Sequence, residues 1–140
     1  MKKRCSGILM PVSSLPGGYG IGSMGQAARD FVDFLVLAGQ SVWQILPVGP
    51  TSYGDSPYQS FSAFAGNPYF IDLDMLKEEE LLTQEEIDAC FWLDKQEEVK
   101  YDAIFYYRFP LLKKAYTRSL HKTTEAYRQF CEKNQFWLPD

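Results

Sequence analysis

Two short apolar runs, residues 7–12 (GILMPV) and 42–48 (VWQILPV), flank one amphipathic stretch, and this order constrains the fold more than any other feature of the chain. Each run is closed by turn residues, as a buried strand would be. Between them, Ser23 with Gln26 three residues on has the form of a capping box, and Ala27, Ala28, Phe31, Phe34, Leu35 and Ala38 make one apolar stripe. Gly39 stops that helix at a position suited to a left-handed cap. Strand, helix, strand at this spacing is a βαβ unit, so the two strands are expected to run parallel as neighbours.

Parallel strands carry a functional consequence. The loops that follow them, SSLPGGYGIG (13–22) and GPTSYGDSPYQS (49–60), emerge at the same end of the sheet. In α/β folds that carboxyl end is where ligands bind. Two loops rich in glycine and tyrosine are therefore expected to share one mouth.

The first loop contains a decoy. Gly20, Gly22 and Gly25 match the G-x-G-x-x-G pattern of dinucleotide-binding folds. The glycines begin well after the apolar run, with Pro16 between, whereas the fingerprint turn follows its strand directly. The acidic residue expected about 20 residues further on would fall near Ile45, inside an apolar run. A loop shaped by its glycines is the better reading, and no cofactor is expected.

Composition removes other classes. The net charge of −4, without a basic block, argues against nucleic acid or an anionic membrane as partner. No apolar run approaches a membrane span, and the basic start at Lys2, Lys3 and Arg4 is followed by too short an apolar segment for a signal peptide. Cys5, Cys90 and Cys131 are far apart, and His121 is the one histidine, so no metal site is expected. The thiols read as reduced, in a cytoplasmic protein.

Beyond Asn67 the alternation breaks down. Residues 68–73 (PYFIDL) read as a further short strand, and Thr83 with Glu86 as a capping box opening a helix to about Phe91. Residues 102–120 read as helical, kinked or divided by Pro110. Residues 123–137 read as another helix with Tyr127, Phe130 and Cys131 on one face. Phe105, Tyr106, Tyr107 and Phe109 are expected in the core of this part, His121 on its surface. The expected division is residues 1–75 as βα units carrying the site loops and 76–140 as a mainly helical inserted subdomain.

Chemistry concentrates at residues 46–68 (LPVGPTSYGDSPYQSFSAFAGNP). Tyrosine faces can pack on the apolar side of a sugar ring while their hydroxyls bond sugar hydroxyls. Asp55, Ser56 and Gln59 add the short polar groups that fix a ligand's orientation. Asp55, just after a glycine, reads as a turn acceptor that fixes the loop rather than as a catalytic acid. Trp43 reads as strand packing.

The order of these residues resembles the 4-α-glucanotransferases of the amylomaltase type (glycoside hydrolase family 77). The segments that carry the resemblance are SGILMPVSSLPGGYGIGSMG, AGQSVWQILPVGPTSYGDSPYQSFSAFAGNPYFIDLDML and the closing FWLPD. The resemblance implies an α/β fold, the N-terminal part of a (β/α)₈ TIM barrel with an inserted helical subdomain. It implies transfer of α-1,4-glucan segments between maltodextrins by a retaining mechanism, with a carboxylate nucleophile and a carboxylic acid/base. Those carboxylates are expected beyond Asp140, in the remainder of the same polypeptide, because 140 residues cannot close a barrel that needs about 250. By motif matching, Tyr58 and Ser56 would line the donor sugar site, and Tyr53 would belong to a secondary glucan site. The alternatives are a non-catalytic maltodextrin-binding module and a fragment of an amylase-type hydrolase.

Overall fold

The computed structural model describes residues 4–52, 54–92 and 98–139. β1 (Gly7–Leu9) and β2 (Val42–Gln44) pair in parallel, with Gly7 opposite Val42 and Leu9 opposite Gln44. Ser41 N–H to Ser6 O at 2.9 Å and Met10 N–H to Gln44 O at 3.0 Å extend the ladder at either end. The strands are shorter than their apolar runs. Pro11 has no N–H to donate, and the chain turns there into a 3-10 segment, Val12–Ser14, leaving β2 without a partner beyond Gln44. They are also less buried than expected: Leu9 is 56% and Val42 47% exposed, because one face of the pair carries no second layer among the described residues.

α1 (Gln26–Leu37) connects the strands. Its N-cap is Gly25 and makes no side-chain cap bond, so the capping box expected from Ser23 and Gln26 does not form. The Ser23 hydroxyl donates instead to the Asp72 carboxylate. The C-terminal end is as expected: Gly39 has φ +68°, its N–H bonds Val36 O, and Gln40 N–H bonds Leu35 O, the paired bonds of a Schellman motif. Of the expected stripe only Leu35 is fully buried, and Phe34 is exposed. The half-buried Trp43 ties β2 to both neighbours. Its ring meets Phe31 edge-on at 5.1 Å and its indole N–H donates to Met10 O at 2.8 Å.

Residues 68–73 form no strand. Asn67 caps a 3-10 turn, Pro68–Phe70, and Asp72 caps α2 (Leu73–Glu78). Both caps are Asx side chains that accept backbone N–H groups, a local bond that competes with a ladder. α3 (Gln84–Asp88) begins with the expected Thr83–Glu86 capping box, present in both directions.

α4 (Tyr101–Arg118) runs undivided through Pro110. Pro110 and Tyr106, whose carbonyl loses its helical partner, both lie on the exposed side. The opposite side holds the helix in place: Ile104, Arg108, Leu111 and Ala115 are all buried, at the spacing of one helical face. The expected aromatic core on this helix is therefore corrected. Phe105 and Tyr106 are 59% and 72% exposed, Phe109 is partly exposed, and Tyr107 is half-buried. After a turn at His121–Thr123, which is exposed as expected, α5 (Glu125–Lys133) is capped by Thr124.

Two apolar clusters hold these parts together. One gathers Leu73, Leu82, Ile87, Leu111 and Ala115, with Tyr19 and Trp92 packed against it. The other joins Ile21, Tyr69 and Ile104, with Phe70 and Tyr101 alongside. Tyr19 and Ile21 come from the glycine-rich loop, so that loop is pinned from both sides.

Candidate functional site

The two loops that follow the parallel strands do meet. The glycine-rich loop folds back on its own start, with Gly22 N–H bonded to Ser13 O at 3.1 Å. At its middle, the Tyr19 hydroxyl donates to Asp74 Oδ1 at 2.7 Å. Burial and the Asp74 carboxylate push the Tyr19 phenol up to about 12, so it stays a donor throughout the physiological range. The glycines serve this fold-back, in keeping with a loop rather than a dinucleotide turn.

The second loop is closed on itself. Thr51 and Ser60 form an isolated antiparallel pair at its base, and Ser52 Oγ donates to Gln59 O at 3.2 Å. Asn67 N–H to Val48 O at 2.8 Å then fastens the returning chain to the end of the β2 run.

Between the loops lies a pocket of about 90 Å³. Val12, Ser13 and Ile21 line it from the first loop, and Thr51, Asp55 and Pro57 from the second. Asn67, Phe70 and Tyr101 also line it. It sits beyond the carboxyl ends of β1 and β2, where the parallel pairing places a ligand site.

Of the candidate residues, Asp55 reaches this pocket. Its backbone is left-handed, with φ +51°. Thr51 Oγ1 donates to its Oδ1 at 3.0 Å, and its own N–H bonds Ser52 O at 3.0 Å. The neighbouring Tyr69 and Tyr101 phenols are raised above their ordinary range, by burial first and by the Asp55 charge next. Ser56 is half-buried on the same loop, where its Oγ accepts the Tyr58 N–H at 3.4 Å. Tyr58 stands out from the loop with 74% of its surface exposed. Tyr53 lies outside the described residues.

Sequence reasoning missed Tyr101, Asn67, Thr51 and Ser13 as pocket-lining groups. Asn67 closes the motif-dense segment and could have been found there. Tyr101 could not, because α4 reaches the pocket through tertiary packing alone. No group of three or more His, Cys, Asp or Glu among the described residues is arranged to hold a metal ion. No helix among them is long and apolar enough to cross a membrane. The three cysteines are free thiols.

Comparison with known proteins bears on what this pocket belongs to. The family model for 4-alpha-glucanotransferase matches residues 10–140. The 4-alpha-glucanotransferase of Streptococcus pneumoniae strain TIGR4 is 56% identical over 139 residues, covering 99% of this chain and 28% of its own length. That of Thermus thermophilus is 47% identical over 141 residues, covering 98% of this chain and 27% of its own. The amylomaltase of Streptococcus agalactiae, solved in complex with acarbose, superposes with a TM-score of 0.86 at 42% identity, over 96% of this chain and 28% of that one. The chain thus spans just over a quarter of the length of these relatives. With a family model matched across nearly all its residues, the chain belongs to the 4-alpha-glucanotransferase family.

Proposed function

We propose that this chain supplies substrate-binding loops of a 4-α-glucanotransferase, which moves α-1,4-glucan segments between maltodextrins by a retaining mechanism. The observation that carries the reading is the pocket at the carboxyl ends of two parallel strands, lined by Asp55 from the loop that also presents the exposed Tyr58. The structural neighbour bound to acarbose supports a saccharide as the occupant.

In this reading the chain is the N-terminal part of a (β/α)₈ barrel, with residues 1–75 as its first βα units and 76–140 as an inserted helical subdomain. The catalytic carboxylates lie in the remainder of the polypeptide. One attacks the anomeric carbon to form a glycosyl-enzyme, and the other protonates the leaving oxygen and later deprotonates the acceptor hydroxyl. Tyr58 and Ser56 contact the donor sugar, Tyr53 belongs to a secondary glucan site, and Asp55 holds the loop that carries them. No cofactor or metal takes part, and the free thiols fit a cytoplasmic protein.

The test is maltotriose as sole substrate. The natural-length protein is expected to yield a ladder of longer maltodextrins together with glucose, and the 140-residue chain alone to yield none. Hydrolysis without longer products would mark an amylase-type hydrolase. Saturable binding without turnover by the natural-length protein would mark a binding module.

A further inference from the structure

The segment from Asn67 to Asp72 is held at four points. Asn67 N–H bonds Val48 O at 2.8 Å, and Phe70 O accepts Met24 N–H at 3.0 Å. The Ile71 carbonyl accepts from Arg108 Nη2, and the Asp72 carboxylate accepts from the Ser23 hydroxyl. Asn67 and Phe70 line the pocket, so this segment forms one of its walls.

Arg108 is the unusual member. It sits at 1% exposure on the buried face of α4, in line with Ile104, Leu111 and Ala115, where the pattern calls for an aliphatic side chain. Its Nε and Nη1 have no partner among the described residues, which makes burial costly. Burial lowers the guanidinium to about 10, while the nearby charge of Asp72 works to keep it protonated. A buried charge with one acceptor adds little to stability, since an apolar side chain of similar volume commonly does as well. What an apolar side chain cannot do is grip the Ile71 carbonyl.

We propose that Arg108, with the Asp72–Ser23 pair beside it, is a positioning strut that fixes the 67–72 wall of the sugar pocket. The inference rests on the glucanotransferase reading for its kinetic consequence, though not for its structural one. Arg108 touches no substrate. It acts through Ile71 and Asp72, which set where Asn67 and Phe70 stand, while Ser23 holds the glycine-rich loop against the same wall.

The experiment uses the natural-length protein and the variants Arg108→Met, Arg108→Lys and Ser23→Ala. With maltotriose, Arg108→Met is expected to raise KM about fivefold while kcat stays within about twofold. Arg108→Lys, which keeps one charged donor, recovers part of the loss, and Ser23→Ala raises KM in the same direction. Amide exchange at residues 67–72 is expected to quicken in Arg108→Met, with the urea midpoint held. Unchanged exchange in that segment, or an unchanged KM in Arg108→Met, overturns the strut. If Arg108→Met does not fold, Ser23→Ala decides alone: wild-type KM or wild-type exchange in that segment overturns it. Should the parent protein not process maltotriose, the glucanotransferase reading has failed, and the exchange data still decide the strut independently.

Discussion

The backbone of Gly25 lies so close to Asp72 that a β-carbon there would come within 1.9 Å of the Asp72 Oδ2 oxygen and 2.3 Å of its Cγ. The carboxylate cannot simply swing away, because it caps α2 through Met75 N–H and accepts the Ser23 hydroxyl. Gly25→Ala is therefore expected to displace Asp72 and lose the cap, at a cost of about 1–2 kcal/mol. Urea denaturation of the variant against the parent checks this, and an unchanged midpoint would refute it.

Glu86 joins α3 to α4. Arg118 holds both its oxygens, Nη1 to Oε2 at 2.7 Å and Nη2 to Oε1 at 2.8 Å, with Lys114 Nζ at 2.9 Å from Oε1. Arg118 first, then Lys114 and the Thr83 N–H, hold the Glu86 carboxyl far below its ordinary 4.5. A folded-state value below the unfolded one means stability present above about 4.5 and lost as pH falls toward the folded value. Urea midpoints between pH 7 and pH 3 are expected to fall more steeply in the parent than in Glu86→Gln. Because the pair faces solvent, high salt should narrow the difference.

Trp43 binds the end of β1 to β2 through its indole N–H and packs on α1 through Phe31. Trp43→Phe leaves the Met10 carbonyl without that donor and opens space beside Phe31, with an expected loss of about 1–3 kcal/mol. Thermal unfolding followed by circular dichroism measures it. Retention of the parent midpoint would mean the indole contributes nothing.

Tyr58 offers the opposite case. At 74% exposure its truncation should cost under about 0.5 kcal/mol of stability. If its ring stacks on the donor sugar, Tyr58→Ala in the natural-length protein should lower kcat/KM for maltotriose about three- to tenfold. Steady-state kinetics beside a thermal melt separate the two effects.

Much of the local structure is legible along the chain. The Schellman end at Gly39, the capping box at Thr83 and the loop bearing Asp55, Ser56 and Tyr58 each depend on residues close in sequence, and the parallel pair follows from the strand–helix–strand order. Local chemistry also misleads where distant partners compete. Ser23 has the spacing of a helix cap, yet its hydroxyl bonds Asp72, 49 residues away. Residues 68–73 have strand composition, yet Asn67 and Asp72 turn their backbone into caps.

The sequence by itself determined the βα order, the turn chemistry and the family, because these follow from side-chain type at short spacing. Tertiary structure decided which face of α4 is buried, that Tyr101 reaches the pocket, and that Arg108 grips Ile71. Those outcomes depend on how elements pack against one another. An apolar or charged residue carries no mark of its distant partner until the chain has closed around it.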